Sequence, residues 1–317
     1  MKTTIRLIVF ALVVATLQNG MANAQQVADA DFIANVGAPH WPVNTGPRLV
    51  LDEAHHNFHT LNGRYRAFGK MATAIGFRVA PLRKQFSDAS LKDVDVLVVA
   101  NALNERNAGD NGANWVLPTP SAFSKDEIAA VRKFVERGGG LLLVADHMPF
   151  AGAAGDLGNA IGVEFANGFA YDSYASNARS DLVYRKKDGL VSPLDVDGSV
   201  DSIVAFTGSA FRVTGNGIPL MRLPKETRIW LPRTAWVFGD SVASMHGEGY
   251  LQGAALNVGK GRVVVLGEAA MLSAQRAGPD RRPMGMNEPR ANQNARFATQ
   301  LLRWVSGEGA PVKVENK

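Results

Sequence analysis

"SKDEIAAVRKFVERGGGLLLVADHMPF", residues 124–150, runs from a helix pattern into a buried strand and then into a polar turn. Ser124 and Glu127 have the spacing of a capping box, which satisfies backbone N–H groups at the start of a helix. Apolar residues follow at helical spacing until three glycines end the segment. Residues 141–144 are apolar without a break, which indicates a strand buried on both faces, as in parallel sheets. The stretch therefore predicts an α/β fold.

The same alternation of helix and strand patterns occurs on both sides of this stretch. Upstream, "GPRLVLDEA" (46–54) and "DVDVLVVANAL" (93–103) predict strands, and "GRYRAFGKMATAIG" (63–76) between them predicts a helix. Downstream, "GRVVVLGEAAM" (261–271) predicts the last strand and "NQNARFATQLLRWVSG" (292–307) the last helix. Strands that alternate with helices predict a doubly wound, mostly parallel sheet.

Residues 163–250 break this alternation. Runs such as "SIVAFTGSAFRV" (202–213) and "RIWLP" (228–232) indicate short strands separated by turn residues. The following stretch, "YLQGAALNVGKGRVVVLGEAAM" (250–271), returns to a hairpin and a core strand. We therefore expect a single α/β domain over residues 25–317, in which 163–250 forms a β-rich elaboration at the edge of the sheet.

The first 24 residues have the pattern of a secretory signal peptide. Lys2 and Arg6 precede the apolar run "LIVFALVVATL", and the small-residue site "ANA" at 22–24 follows it. The run is shorter than the roughly 20 residues that a membrane-spanning helix needs. We therefore expect cleavage before Gln25, no membrane span after cleavage, and a periplasmic or secreted protein.

The composition excludes several classes of site. The 317 residues contain no cysteine, so a disulfide, a thiolate metal ligand and a cysteine nucleophile are all excluded. The formal net charge of +5 falls to +3 when the charges of Lys2 and Arg6 leave with the signal peptide. The basic stretch "YRKK" (184–187) is too short to indicate nucleic-acid binding, and no G-x-S-x-G motif indicates a serine nucleophile. The expected partner is a small polar molecule or a glycan, and the oligomeric state stays open.

Polar side chains follow four of the predicted strands. In an open parallel sheet, ligands bind in the crevice outside the carboxyl ends of the strands. The segment "LVLDEAHHNFHT" (49–60) alone holds three of the six histidines of the chain. The polar residues at the four strand ends are Asp52, Glu53, His55, His56 and His59, then Asn101 and Asn104, then Asp146 and His147, and finally Glu268. We predict that these residues line one crevice.

Two kinds of chemistry suit such a set. Histidine–carboxylate pairs act as general acids and bases, whereas imidazole and carboxylate groups can also hold zinc, manganese or iron with one position open for water. The predicted catalytic residues are Asp52, Glu53, His56, Asp146, His147 and Glu268; the predicted ligand-binding residues are His55, His59, Asn101 and Asn104; the predicted ligands of a divalent metal are His56, His59 and His147. Taken alone, any one of these residues is better explained by capping or hydrogen bonding at a strand-to-helix turn, so the prediction depends on their convergence.

At this point the chain resembles a known family. The segment "VRKFVERGGGLLLVADHMPFAGAAGDLGNAIGVEF" (131–165) resembles the helix, glycine turn, strand and tight elbow of class I glutamine amidotransferase-like domains. The stretch "LDEAHHNFHTLNGRYRAFGKMATAIGFRV" (51–79) and the closing strand and helix are similar to exported members of that superfamily. The resemblance covers roughly residues 48–306 and implies a flavodoxin-like sheet. The elbow that should carry cysteine reads "ADHM" (145–148), which excludes amidotransferase chemistry through a thioester.

Two functions remain open at this stage. The first is an exported hydrolase, metal-assisted or acid/base, that acts on a polar molecule such as a carbohydrate or a cell-wall fragment. The second is a non-catalytic module that binds a ligand or partner and has lost amidotransferase chemistry. Aromatic side chains that could stack on a sugar are Tyr171, Tyr174, Trp230 and Trp236, although aromatic residues in short strands usually belong to the core. Residues 275–290 are expected to form a loop, either a lid or a connector.

Overall fold

The computed structural model describes residues 26–109, 112–171, 181–191, 194 and 198–312. The predicted signal peptide and Tyr174 lie outside the described residues. The strands are β1 (Val27–Ala28), β2 (Arg48–Asp52), β3 (Arg78–Leu82), β4 (Val96–Ala100), β5 (Gly140–Val144), β6 (Val163–Ala166), β7 (Phe169–Tyr171), β8 (Leu182–Arg185), β9 (Ser202–Ala205), β10 (Ala210–Val213), β11 (Gly217–Arg222), β12 (Arg228–Leu231), β13 (Ala243–His246), β14 (Leu251–Val258), β15 (Gly261–Leu266), β16 (Ala274–Ala277) and β17 (Arg282–Gly285). The α-helices are α1 (Arg66–Ile75), α2 (Lys125–Glu136), α3 (Phe150–Ala153), α4 (Gly155–Ala160) and α5 (Asn294–Val305).

Nine strands form the central sheet, and five of them are parallel. The parallel part has the spatial order β3-β2-β4-β5-β15. Every residue of β4 and β5 is buried, because the two faces of these strands belong to two different hydrophobic clusters. A strand covered on both faces has no solvent-facing position, which explains the unbroken apolar runs that predicted both strands. The predicted α/β class is confirmed.

Antiparallel strands complete the sheet beyond β15. Strand β14 pairs with β15 on one side and with β10 and β11 on the other, and β6 pairs with β10 at the edge. Three of these strands, β6, β10 and β11, come from the stretch 163–250, whose remaining strands form the smaller sheets β13-β12-β7 and β8-β9. Because only part of the sheet is parallel, the doubly wound, flavodoxin-like arrangement stays a prediction.

A small sheet occupies most of the stretch 275–290. Strands β16 and β17 form an antiparallel hairpin, and β16 also pairs with β1. The Asn287 amide donates hydrogen bonds to Asp29 Oδ2 and to the backbone oxygen of Gln275, each at 2.9 Å. The expectation of an irregular loop is therefore wrong for this hairpin, because its backbone is paired on both sides of β16.

Helices cover both faces of the parallel strands. Phe68 of α1 and Leu301 of α5 share one hydrophobic cluster with Leu51, whereas Phe134 of α2 shares the other cluster with Val50. Neighbouring residues of β2 thus face opposite sides, as the pleat of a strand requires. Helix α2 begins with the predicted capping box. In the part of the chain that the structure describes, no helix is both long and apolar enough to cross a membrane.

Candidate functional site

The carboxyl ends of β2, β4, β5 and β15 meet at one edge of the sheet, and predicted site residues from all four strands are found there. Asn101, directly after β4, accepts a hydrogen bond on Oδ1 from the backbone N–H of Asp146, which follows β5, at 2.9 Å. Asp146 Oδ2 lies 3.4 Å from the backbone nitrogen of Ala269, which adjoins Glu268 after β15. The side chains therefore converge at this edge, as the strand order predicts. The hydrogen bonds that each side chain already makes determine whether it is free to contact a ligand.

The first group, here called the histidine clamp, consists of Asp52, His55 and Glu127. His55 Nδ1 lies 2.8 Å and 2.9 Å from the two carboxylate oxygens of Asp52, and its Nε2 lies 2.7 Å from Glu127 Oε1. All three side chains are buried. Burial alone would lower the pKa of His55, but the hydrogen bonds and charges of Asp52 and Glu127 outweigh it, so the pKa is raised. In the clamp, a carboxylate lies within hydrogen-bond distance of each ring nitrogen of His55.

The clamp links two parts of the fold and leaves little capacity for other chemistry. Glu127 is the residue that completes the capping box of α2, and its Oε1 also accepts a hydrogen bond from the backbone of Phe86 at 3.1 Å. Asp52 additionally accepts hydrogen bonds from the Ala54 backbone and the Asn57 amide. The imidazole of His55 packs against the rings of Phe86 and Phe123, with centroid distances of 4.6 Å and 4.9 Å. Because these groups already bond one another, their role is to hold β2 against α2.

Three other predicted residues also serve local structure. Glu53 accepts a hydrogen bond from the Leu61 backbone at 2.8 Å and pairs with Arg83 at 3.0 Å. Asn104 caps a short 3-10 helix by accepting from the Arg106 backbone at 3.0 Å. His56 is exposed and has a positive φ of 47°, and no hydrogen bond of its ring is present among the described residues. The structure therefore does not bring Glu53, His56 or Asn104 into a common site.

The second group, here called the inner cluster, contains the remaining predicted residues together with one that the sequence did not single out as a site residue. Its members are His59, Tyr65, Asn101, Asp146, His147 and Glu268, and all are buried. The rings of His59 and Tyr65 lie 4.6 Å apart, and the Tyr65 hydroxyl donates to the backbone oxygen of Ala269 at 3.1 Å. Tyr65 falls within the helix predicted over residues 63–76, and nothing in the spacing distinguishes a tyrosine whose hydroxyl reaches a polar cluster.

Burial favours the neutral forms of several groups in the inner cluster. Burial lowers the pKa of His59 well below its usual value, and electrostatic repulsion from Arg64 and from a protonated His147 would lower it further. Burial and the neighbouring charge of Asp146 raise the pKa of Glu268 well above the usual range, against the opposing effect of backbone hydrogen bonds. Burial also lowers the pKa of His147. The cluster is therefore suited to neutral hydrogen-bonding partners more than to charged ones.

His147 has one ring nitrogen bonded and the other available. Its Nδ1 donates to the backbone oxygen of Met148 at 2.6 Å, which fixes the proton on Nδ1 and leaves Nε2 as an acceptor. No hydrogen bond to Nε2 occurs among the described residues. The imidazole stacks on Phe169 at 4.5 Å with an interplanar angle of 11°, and Trp236 lies edge-on at 4.7 Å. These three rings form a cluster, here called the aromatic platform, of which Trp236 is 45% exposed and His147 7%, whereas Phe169 is fully buried.

The predicted metal site is not assembled. Among the described residues, no group of three histidine, aspartate, glutamate or cysteine side chains is placed to hold a metal ion. Of the three predicted ligands, His56 is exposed, whereas His59 and His147 are buried. A catalytic metal needs about three protein ligands that converge on one point, so these residues do not fit the expected divalent cation.

The inner cluster is nearly closed. Asp146 and His147 each keep 7% of their surface exposed, and the other members are more deeply buried. Two surface depressions, of about 320 Å³ beside Asn159 and Leu256 and about 360 Å³ beside Asp29 and Arg276, lie elsewhere on the molecule. A ligand would therefore reach the cluster from the side of His147 and the platform.

Comparisons with known proteins support the fold and no specific activity. No family model and no curated protein matches the chain. A solved structure described as the mmIFT52 N-terminal domain is similar, with a TM-score of 0.58 and 13% identity over 83% of this chain and 100% of that one. A putative ThuA-like protein from Bacteroides uniformis has a TM-score of 0.44 and 15% identity, over 84% of this chain and 95% of that one. An exo-beta-1,4-mannosidase from an Opitutaceae bacterium has a TM-score of 0.36 and 12% identity, over 70% of this chain and 31% of that one. The last two scores are too low to establish a common fold.

Proposed function

We propose that the protein binds a small, neutral, hydroxyl-bearing molecule, of the carbohydrate class, at the aromatic platform. The observation that carries this proposal is the environment of His147, whose Nε2 is an acceptor with no hydrogen bond among the described residues and whose ring packs against those of Phe169 and Trp236. Binding sites for small molecules combine an apolar, often aromatic wall with a few fixed polar groups. An aromatic ring packs on the C–H face of a sugar, and the imidazole accepts a hydrogen bond from one of its hydroxyls.

Titration with neutral hexoses, N-acetylhexosamines and their disaccharides tests the proposal. Binding is followed by calorimetry and by tryptophan fluorescence, since Trp236 is exposed. We expect Trp236→Ala and His147→Phe each to weaken binding about tenfold or more, because each removes one of the two contacts. The matched controls are Ile33→Ala, at a side chain that is 79% exposed, and His246→Ala, at an exposed histidine on β13. Failure of every sugar to bind the wild-type protein would contradict the proposal.

A second candidate is acid/base hydrolysis of such a ligand, with His147 as the base. It is favoured by one specific observation, namely that Nδ1 is committed to Met148 while the lowered pKa keeps Nε2 unprotonated. Chromogenic glycosides and esters test it. We expect His147→Gln to abolish turnover while leaving binding through Trp236, and activity to fall as the pH drops through the lowered pKa of His147. Activity that survives His147→Gln would exclude this role.

We also propose that the protein acts in the periplasm or outside the cell. The proposal depends on the charged, apolar and small-residue pattern of residues 1–24. Mass spectrometry of the mature protein, produced from the full chain in a bacterial host, tests it. We expect a polypeptide that begins at Gln25, and an intact N-terminus at Met1 would contradict it.

The kinship with glutamine amidotransferase-like domains, together with the flavodoxin-like arrangement, is likewise proposed. It is supported by the order of glycine turn, buried strand β5 and polar elbow at 145–148. In this interpretation the elbow keeps its position at the sheet edge, but a histidine acceptor takes part in binding where relatives use a thiol. An experimental structure at high resolution, compared with such domains element by element, tests the kinship.

A further inference from the structure

Several polar atoms near the platform are buried and have no hydrogen-bond partner among the described residues. They are both ring nitrogens of His59, the amide nitrogen Nδ2 of Asn101 and the indole nitrogen Nε1 of Trp115. Buried polar groups in folded proteins are nearly always paired, because an unpaired one has lost its bonds to water without replacement. For such a group in a native protein we therefore expect a hydrogen-bond partner.

The rings of His59 and Trp115 both lie beside Phe58, and the backbone of Asn101 adjoins the same residue. The Phe58 ring lies 5.6 Å from the ring of His59 and 5.3 Å from that of Trp115. The backbone N–H of Phe58 donates to the backbone oxygen of Asn101 at 3.0 Å. Trp115 in turn lies 5.7 Å from His147, so the region adjoins the aromatic platform.

The unpaired state of His59 differs in kind from other unpaired atoms in the described residues. Asn107, Asn257 and Gln275 each leave one amide oxygen unpaired, but each bonds through its amide nitrogen. The imidazole of His59 is bonded at neither nitrogen, although the side chain is almost completely buried. Packing therefore buries this ring without a hydrogen-bond partner from the part of the chain that the structure describes.

We propose that His59, Asn101 and Trp115 form an interior subsite that binds a hydroxyl group of a neutral polyol, continuous with the platform. The inference rests on the proposed function and deepens it, since it names the group of the ligand, a hydroxyl, that would be hydrogen bonded below the platform. The subsite offers N–H donors from Asn101, Trp115 and one nitrogen of His59, and one acceptor, the other nitrogen of His59. A hydroxyl oxygen accepts from such donors while its hydrogen is donated to the imidazole.

The charges near the subsite disfavour a charged occupant. The Asp146 carboxylate, whose backbone bonds Asn101, would repel an anion. Arg64 lies with its guanidinium 3.6 Å above the centre of the Phe58 ring and would repel a cation. A neutral hydroxyl matches both the donors and this balance of charge.

Glycerol is the probe for this subsite, because it is small enough to act without stacking on the platform. We expect glycerol to shift the side-chain nitrogen resonances of His59 in wild-type protein and in Trp236→Ala alike. We expect His59→Phe to lose the response to glycerol and to weaken sugar binding about tenfold. The phenylalanine ring suits a site lined by Phe58 and Tyr65, so the unfolding temperature should stay equal or rise. His246→Ala serves as the control histidine.

The outcomes separate this inference from the proposed function. If sugars bind through Trp236 while the His59 resonances and the affinity of His59→Phe are unchanged, the platform stands and the subsite is overturned. If sugars fail at the platform but glycerol still moves the His59 resonances in Trp236→Ala, the subsite stands and the platform falls. A clear fall in the unfolding temperature of His59→Phe would also overturn the subsite, because it would show that the imidazole already has a stabilising partner.

Discussion

Two histidines four residues apart, His55 and His59, have opposite surroundings. Both follow β2 and both are buried, yet His55 is hydrogen bonded at each nitrogen and His59 at neither among the described residues. The partners of His55 raise its pKa, whereas burial without partners lowers that of His59. The difference shows that a run of histidines at a strand end can contain both structural and candidate functional residues. The presence or absence of hydrogen-bond partners within the protein distinguishes the two kinds.

The largest expected effect comes from breaking the histidine clamp. We expect His55→Leu to lower the free energy of unfolding by about 3–5 kcal/mol, because it leaves the buried carboxylates of Asp52 and Glu127 without the imidazole that pairs with both. Urea unfolding at neutral pH measures this. As a control, Arg132→Ala breaks an exposed ion pair to Glu136 on the same helix and should change stability by about 0–1 kcal/mol. A loss as small as that of the control would show that the clamp does not bear on the fold.

The second expected effect has the opposite sign. We expect His59→Phe to raise the free energy of unfolding by about 1–3 kcal/mol, since it removes a buried polar group that has no partner among the described residues. The same urea titration measures it, so the two histidines are compared directly. Destabilisation by both substitutions would erase the contrast and make His59 a second structural histidine.

The sequence predicted those features of the fold that depend on neighbouring residues, and it missed those that depend on residues far apart in the chain. The strands β4 and β5 and the capping box of α2 were predicted because their causes are local, an apolar run or a three-residue spacing. The pairing of β6 with β10 and of β11 with β14 was not, because register between distant segments leaves no local pattern.

The same limit applies to the site. Strand order placed Asp146, His147 and Glu268 correctly at the carboxyl edge, because parallel strands share that edge. The pairing of His55 depends on Glu127, which lies 72 residues away and was predicted only as a helix cap. No spacing rule connects these two residues, so the sequence assigned His55 to ligand binding and His56, which is exposed, to catalysis.

The pH dependence of stability should distinguish the two histidines, because their pKa values shift in opposite directions on folding. A shift of one pKa unit changes the free energy of unfolding by about 1.4 kcal/mol. The raised pKa of His55 gives stability that is complete below the usual value of 6.5 and is lost as the pH rises through the folded value. The lowered pKa of His59 gives the reverse, with stability complete above 6.5 and lost as the pH falls toward the folded value.

Unfolding measured at a series of pH values between roughly 5 and 9 tests both signs. The gap between wild type and His55→Leu should narrow as the pH rises above 6.5, and the advantage of His59→Phe should grow as the pH falls below it. Parallel curves for wild type and both variants would mean that neither imidazole changes its pKa on folding.

The smallest expected effect on stability concerns Trp236, where binding and folding can be separated. Its φ of 66° lies in the left-handed region, which costs a non-glycine residue about 1–2 kcal/mol. Trp236→Gly relieves that strain but loses ring contacts worth about 0.5–1.5 kcal/mol and adds chain entropy to the unfolded state, so stability should change by less than about 1 kcal/mol. The buried partner Phe169 differs, since Phe169→Ala should cost about 3–5 kcal/mol. A strained and half-exposed tryptophan that contributes nothing to stability is retained for contact with something outside the fold, whereas a loss above about 2 kcal/mol for Trp236→Gly would make the platform part of the core.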